Sequence, residues 1–448
     1  MSTAPRPTAP PSPARAPLMS LDDALQALLS SITPLPGVET VATLQADGRV
    51  LAHAVVSSLQ VPAFDNAAMD GYAVRSADVQ QVGAELAVTQ RIAAGHSGQA
   101  LLPGQTARIF TGAPIPPGAD AVVMQEQTEP VAALDTAPVT APDTVPDTVP
   151  DTVPRTLRVR FLTTAPAGQW VRRSGEDVRT GDSVLQRGQK LGPAELGLAA
   201  SLGLAQLSVV RRPKVALFST GDELVMPGDV APCDMPPGAI YNSNRFFLRA
   251  LLQRVGCEVS DLGIVPDRRE ATLAALQSAA EQHDLIVTSG GVSVGEEDHV
   301  KPAVQSLGAL ALWQIAMKPG KPFAFGHVRR STAPGAAHFV GLPGNPVSSF
   351  MTFLLLVKPL ILALQGSSPQ PPMPWPLPAH FAVPKADKRR EFLRVRRNAQ
   401  GGLDLFPNQS SGVLTSVVWG DGVVDIPAGQ TVAHGDMLHF LSFSEWLS

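Results

Sequence analysis

The sequence predicts a multidomain protein of class α/β plus all-β, with a parallel-sheet α/β domain, a mostly β middle domain and a C-terminal β-barrel. Three observations carry this. At 448 residues the chain is too long for one compact core. Between Val215 and Thr288 short apolar runs alternate with helix-like segments in a βαβαβ order, which implies parallel strands and right-handed crossovers. From Val41 to Val210, and again from Phe381 to Ser448, short alternating apolar runs are separated by Gly, Pro and Asp, the pattern of antiparallel strands.

The elements follow in order. Residues 1–17 are rich in Pro, Ala and Ser, lack the apolar stretch of a signal peptide, and read as a flexible tail. Ser20 opens a helix, with Asp23 completing an approximate capping box and Leu21, Leu25, Leu28, Leu29 and Ile32 forming one stripe; Pro34 and Pro36 end it. The middle β region carries three copies of Pro-Asp-Thr-Val starting at Pro142, Pro146 and Pro150. Proline every fourth residue blocks helix and sheet ladder alike, so this low-complexity insert (142–154) reads as a solvated loop without a function of its own.

In the α/β region, Val215–Phe218, Val259–Val265 and Leu285–Thr288 are the strands. Asn244 is expected to cap the first crossover helix, which stops at Gly256, and Asp267 to cap the second. Phe350 to Leu364 is the most apolar stretch. Lys358-Pro359 interrupts it and it falls short of the ~20 residues of a spanning helix, so it reads as a buried helix with a kink or stop. A proline-rich linker follows, to about Pro378.

Composition excludes several functions. With 44% hydrophobic and 17% charged residues the chain reads as soluble and globular. A net charge of −4 gives no general affinity for nucleic acid or an anionic membrane. The two cysteines, Cys233 and Cys257, stand in no CxxC or Cys/His cluster and read as reduced thiols of a cytoplasmic protein. No HExxH and no serine-triad arrangement is present.

The chemistry-bearing residues lie where the strands end. Ligands of open parallel sheets bind beyond the strands' carboxyl ends. Ser219-Thr-Gly-Asp-Glu223, Pro266-Asp267 and Ser289-Gly-Gly-Val-Ser-Val-Gly-Glu-Glu-Asp298 all leave such ends. Gly290 and Gly291 let backbone amides approach an anion, with a hydroxyl added by Ser293. Asp222 and Glu223 are adjacent carboxylates suited to a magnesium ion or an oriented water. Lys318-Pro-Gly-Lys321 places two ammonium groups around a tight turn, where both can face one oxyanion. Gly344-Asn-Pro-Val-Ser348 opens the apolar helix, with Asn345 as its cap and Pro346 at its first position. In the β region, Asp70-Gly71, Thr111-Gly112 and Gly175-Glu-Asp177 read as turns.

Eight collinear segments do more. Pro62–Arg75, Arg108–Pro114, Ala119–Glu126, Arg172–Asp177, Val215–Leu224, Ser289–Asp298, Lys318–Gly326 and Gly341–Ser349 closely resemble the molybdopterin molybdenumtransferase family, the MoeA proteins and the gephyrin E domain. The resemblance spans about Leu18 to the C-terminus and implies a four-domain homodimer. Its expected boundaries are an elongated N-terminal domain from 18–60 and 158–212, an inserted β domain 61–157, a molybdopterin-binding domain 213–368 and a barrel 379–448. The implied reaction takes adenylylated molybdopterin and molybdate, cleaves the phosphoanhydride with Mg²⁺ and releases AMP.

The resemblance also implies roles for named residues. Lys318, Lys321, Ser348, Arg394 and Ser411 would hold molybdate, and Thr220, Ser289, Gly290, Gly291 and Ser293 the pterin and pyrophosphate. Asp222, Glu223, Asp267 and Asp298 would bind Mg²⁺ or position water, while Asp70, Thr111 and Asp177 would complete the site across the dimer. Gln314 replaces a basic residue of many relatives, and Arg268 stands where relatives often have a second acid. Partners are the small-molecule substrates and other proteins of molybdenum cofactor biosynthesis. The competing readings are a molybdopterin adenylyltransferase, which shares the Gly-Gly-Val-Ser loop, and a non-catalytic scaffold.

Overall fold

The computed structural model describes residues 18–131, 157–291 and 299–447; the tail 1–17, the Pro-Asp-Thr-Val insert, Ser293 and Asp298 lie outside them. The chain divides into two compact units, one of Met1–His53, Arg187–Gly192 and Gln206–Ser448, the other of Ala54–Gln186 and Pro193–Ala205.

The first unit begins with the expected helix, Leu21–Ser30. Ser20 Oγ accepts from Asp23 N at 3.0 Å and donates to the Asp23 carboxylate at 2.6 Å, closing the N-terminus, while Leu21, Ala24 and Leu28 enter the core. The main sheet runs in the order Glu258–Val265, Lys214–Thr220, Leu285–Ser289, Ala336–Leu342, Pro322–Arg329, Gly308–Gln314. The first four strands are parallel, as the βαβαβ pattern requires, and the last two join antiparallel. Every residue of Leu285–Ser289, and all of Lys214–Thr220 after its lysine, is buried; both faces of these strands are covered, so they read as unbroken apolar runs. Register aligns Thr220 with Val265, Ser219 with Ser289, and Ser289 with Leu342, so these strands end level. One sheet edge thus receives the loops that follow.

Both expected helix caps shift. The first crossover helix is Ser243–Arg254, and its cap is Asn242, whose side chain accepts from Arg245 N; Asn244 is inside the first turn. The second, Arg269–Gln282, has Arg268 at its cap position without a side-chain bond, so Asp267 precedes the cap. The apolar helix does not stop at Pro359. It runs Pro346–Leu364 and widens into a π turn over Phe353–Val357, which ends one residue short of Pro359. Proline has no N–H to donate and its ring crowds the carbonyl four residues back, and a wider turn relieves both. This helix is long and apolar enough to cross a membrane, but 72% of that stretch is buried inside the protein, with Met351, Phe353, Leu360 and Ile361 in the main core.

The expected linker ends in structure: Trp375–Pro378 is a strand paired with Met437–Ser442. The C-terminal sheet runs Met317–Lys318, Arg390–Arg397, Gly422–Ile426, Met437–Ser442, Trp375–Pro378, and Leu403–Leu405 pairs Arg390–Arg397. A bridge between Ala379 and Leu403 joins the far ends and closes the barrel around Leu393, Val395, Val424 and Phe440. Because Met317–Lys318 pairs in parallel with Arg390–Glu391, the lysine turn is shared between the α/β sheet and the barrel.

The second unit centres on a six-stranded sheet ordered Ala121–Met124, Gly71–Val74, Gln105–Ile109, Glu85–Ile92, Arg158–Phe161, Thr128–Val131. Its pairs are antiparallel except one: Glu85–Ile92 lies parallel to Gln105–Ile109. The dozen residues 93–104 between them are a crossover length, not a hairpin. Gly71 is not a turn glycine. It starts a strand, and a Cβ there would lie 1.9 Å from Val123 O, so glycine serves close backbone approach.

Candidate active site

At the level edge of the sheet, Thr220 and Ser289 end adjacent strands, each 4% exposed. Gly290 (φ 94°) and Gly291 (φ 67°) turn the chain over them. A Cβ on Gly290 would meet Thr220 O at 2.8 Å, and one on Gly291 would meet Thr220 Oγ1 at 2.9 Å and Val300 Cγ2 at 2.5 Å, so both glycines are required by sign of φ and by space. The Gly290 amide donates to Leu342 O at 3.1 Å. Of the two glycine amides, only that of Gly291 lacks a partner among the described residues.

Asn244 is the residue that motif reading missed. It is 7% exposed, and its Nδ2 donates to Ser289 Oγ and to Gly344 O, each at 2.7 Å. One buried amide therefore ties the glycine loop to the loop that starts the apolar helix. Its signal was present as the second asparagine of Asn242-Ser-Asn244, but both residues look like caps and only the tertiary contacts separate them.

At that helix start, Val347 N donates to Ser411 O at 2.9 Å, and Ser348 is 5% exposed. The lysine turn packs on the same spot: a Cβ on Gly320 would fall 2.6 Å from Thr352 Oγ1 and 3.4 Å from Ser348 O. Lys318, Lys321, Ser348 and Ser411 are thus brought to one neighbourhood.

The two lysines do not play equal parts. Lys318 pairs with Glu391 (2.7 Å) and Asp387 (3.3 Å), and the Glu391 carboxylate first among its neighbours holds the ammonium above its ordinary pKa. These groups line a pocket of about 390 Å³ with Gln409. Lys321 makes no ion pair among the described residues and opens with Lys385, Lys388, Arg389 and Asp387 onto an adjoining hollow of about 430 Å³. Four cations face one carboxylate there, a setting for an oxyanion. Lys318 is thus engaged by two carboxylates while Lys321 is not, and the run Lys385-Ala-Asp-Lys-Arg389 adds basic residues not singled out in the sequence.

Arg394 is 1% exposed and donates to Ser416 Oγ (3.1 Å), Phe392 O (3.2 Å) and Ser410 O (3.3 Å). Burial pulls its pKa down to about 10. It braces the loop that carries Ser411 through its bond to Ser410 O.

The carboxylates are spread. Asp222 and Glu223 are exposed on the turn after Thr220, and Asp267 lies half-buried on its own turn. Among the described residues no three His, Cys, Asp or Glu side chains gather closely enough to hold a metal, so Asp222, Glu223 and Asp267 do not form the expected set by themselves.

In the second unit, Asp70 accepts from Thr111 N and Thr111 Oγ1, both at 2.8 Å. The Thr111 amide, then its hydroxyl, hold the Asp70 carboxyl below the usual range. Asp177 is exposed on the turn after Gly175 (φ 72°), and its amide donates to Val61 O at 3.1 Å.

Fold and loops together define an α/β protein with a glycine-rich loop at the carboxyl end of its parallel sheet, together with β domains. Residues 19–203 match the MoeA N-terminal region (domain I and II), 216–363 a probable molybdopterin binding domain and 376–443 the MoeA C-terminal region (domain IV). A molybdopterin molybdenumtransferase of Haemophilus influenzae is 38% identical over 443 residues, covering 95% of this chain and 100% of the relative. Another, of Nostoc sp., is 35% identical, covering 93% and 91%. A molybdopterin biosynthesis MoeA protein of Pyrococcus horikoshii shares the fold with a TM-score of 0.76 at 26% identity, covering 95% of this chain and all of that one. The chain belongs to the molybdopterin molybdenumtransferase family and is an enzyme of that family.

Proposed function

We propose that this enzyme transfers molybdenum from molybdate to adenylylated molybdopterin, with Mg²⁺-dependent cleavage of the phosphoanhydride and release of AMP, a late step of molybdenum cofactor biosynthesis. The observation that carries the reading is the Asn244 bridge, which sets a glycine loop suited to phosphates beside a helix start and lysine turn suited to a tetrahedral dianion.

In this reading the Gly291 amide, Thr220 and Ser289 hold the pterin phosphate and pyrophosphate. Lys321, with Lys385 and Lys388 beside it, draws in molybdate; Lys318 remains held by Glu391 and Asp387 and sets the shape of the turn. Asp222 and Glu223 fit a magnesium ion, which commonly takes one or two carboxylates and completes its shell with substrate phosphate oxygens and water. When bound there it would neutralise charge developing on the phosphoanhydride. Ser293 and Asp298 are proposed for the same loop. Purified enzyme given adenylylated molybdopterin, Mg²⁺ and molybdate is expected to release AMP. Absence of AMP, with ATP and molybdopterin instead yielding the adenylylated product, would make it an adenylyltransferase.

The active form in this reading is a cytoplasmic homodimer in which Asp70, Thr111 and Asp177 serve the partner copy's site. Lys321→Ala and Asp70→Ala homodimers are each expected to be nearly inactive, and subunit exchange between them to restore about a quarter of wild-type sites, since half the dimers become mixed and each mixed dimer has one intact site. Failure of exchanged, folded dimers to regain activity contradicts the cross-dimer arrangement.

A further inference from the structure

On the sheet of the second unit, Arg91, Arg108 and Tyr72 stand in register on three neighbouring strands. Arg91 and Arg108 are directly opposite one another, an arrangement in which like charges repel. The Arg91 guanidinium lies 4.5 Å from the Phe110 ring centre and that of Arg108 4.8 Å from the same ring, with Arg108 also 5.3 Å from the Tyr72 ring. Two cations thus share one aromatic ring.

Arg91 makes no ion pair among the described residues, and the Arg108 charge acts on Asp70 without forming a salt bridge with it. Arg108 donates to Gly71 O at 2.8 Å and to Gln125 Oε1, both neutral acceptors, and neither arginine makes an ion pair among the described residues. The Asp70 carboxylate, which feels the Arg108 charge, accepts from the amide and hydroxyl of Thr111, the residue after Phe110. Glu126 is reached only through Gln125. A folded sheet that places two arginines opposite one another with a single carboxylate near Arg108, on rings that fix their planes, keeps positive charge in excess and suits an anion from outside. Guanidinium forks match the paired oxygens of a phosphoryl group.

We propose that Arg91 and Arg108 form the subsite for the phosphoryl group of the nucleotide half of the substrate, and hence of the AMP product. This rests on the reading of the enzyme as a transferase that releases AMP. It gives a binding role to a basic, aromatic row beside Asp70 and Thr111, and it accounts for why Arg108 and Phe110 stand immediately before Thr111 in the chain.

The test is titration calorimetry of the full-length enzyme with AMP, adenosine and inorganic phosphate. Wild type is expected to bind AMP, to bind adenosine at least tenfold more weakly, and to lose AMP affinity when inorganic phosphate competes. Arg91→Gln, which breaks no hydrogen bond seen here, and Arg108→Gln are each expected to raise the Kd of AMP about tenfold, as loss of a charge-assisted bond does. Arg108→Lys, which keeps the charge, should recover part of that loss. AMP affinity unchanged in folded Arg91→Gln and Arg108→Gln proteins overturns the subsite, as does equal binding of AMP and adenosine or no binding of AMP by wild type. If wild type releases AMP in the transferase assay while both variants keep its KM, the subsite falls and the transferase reading stands. If wild type releases no AMP, the transferase reading itself fails.

Discussion

Asn244→Ala is expected to lower kcat/KM about 100-fold while leaving the protein folded, because a displacement of about 1 Å in a binding loop is worth a factor of that size. Asn244 bonds to both loops that the proposed reaction uses, through Ser289 Oγ and Gly344 O. Without it, Ser289 Oγ loses its one recorded donor in a buried setting, and the start of the apolar helix is no longer tied to the glycine turn. An unsatisfied buried polar group costs roughly 1–3 kcal/mol, so a fall of that order in urea-measured stability should accompany the kinetic loss. Lower stability with kcat/KM unchanged would show that the bridge is structural only.

The largest loss of stability is expected from Asp284→Ala. Asp284 is 8% exposed and accepts from Arg211 Nη1 (2.7 Å) and Nη2 (2.8 Å) and from Lys214 N (2.9 Å). It sits at the amino end of Leu285–Ser289 and pins Arg211, in the segment that leads from Gln206–Val210 into the sheet. Removing one member of such a pair leaves a half-buried guanidinium with no counter-charge, bonded only to the Pro36 and Arg212 carbonyls, and the Lys214 amide without its acceptor, at a cost of about 3–5 kcal/mol. Denaturant melts of folded wild type and variant measure this directly.

The same carboxylate has a predictable pH signature. Burial tends to raise its pKa, but the Arg211 fork and the Lys214 amide outweigh burial, helped by the nearby Arg330 charge, and the net direction is downward. A carboxyl depressed in the folded state stabilises above its unfolded pKa of ~3.9 and loses that contribution as pH falls through its folded value. Acidification below about pH 4 should therefore narrow the stability gap between wild type and Asp284→Ala. A gap that is constant across that range would contradict the ion-pair explanation.

Much of this was legible in the sequence because local and tertiary forces agree. Ser20 with Asp23 caps a helix whose leucines face the core, and continuous apolar runs at Val215 and Leu285 could only be strands covered on both faces. The glycines after Ser289 announced a backbone that no other residue could follow. What stayed hidden depends on residues far apart in the chain. Lys318 meets Glu391 and Asp387 only because a two-residue strand pairs with the barrel, and nothing near Lys318 signals two acids some seventy positions on. Arg394 was singled out by resemblance alone, and nothing near it in the chain showed that its strand places it inside the barrel, where carbonyls and a hydroxyl replace water. The parallel pair in the second unit was concealed by a loop that carries no helix. Asp70 and Thr111 looked like separate turns, and their mutual bonds appear only once strands Gly71–Val74 and Gln105–Ile109 are side by side.

The central claim is that phosphoanhydride cleavage is coupled to molybdenum transfer. The most direct test counts both products in one reaction, AMP by chromatography and pterin-bound molybdenum by elemental analysis, with and without molybdate. Coupled transfer gives one molybdenum bound per AMP released and almost no AMP when molybdate is omitted. AMP released at the same rate without molybdate, with no molybdenum on the pterin, would make the enzyme a hydrolase of the adenylylated pterin and contradict the account.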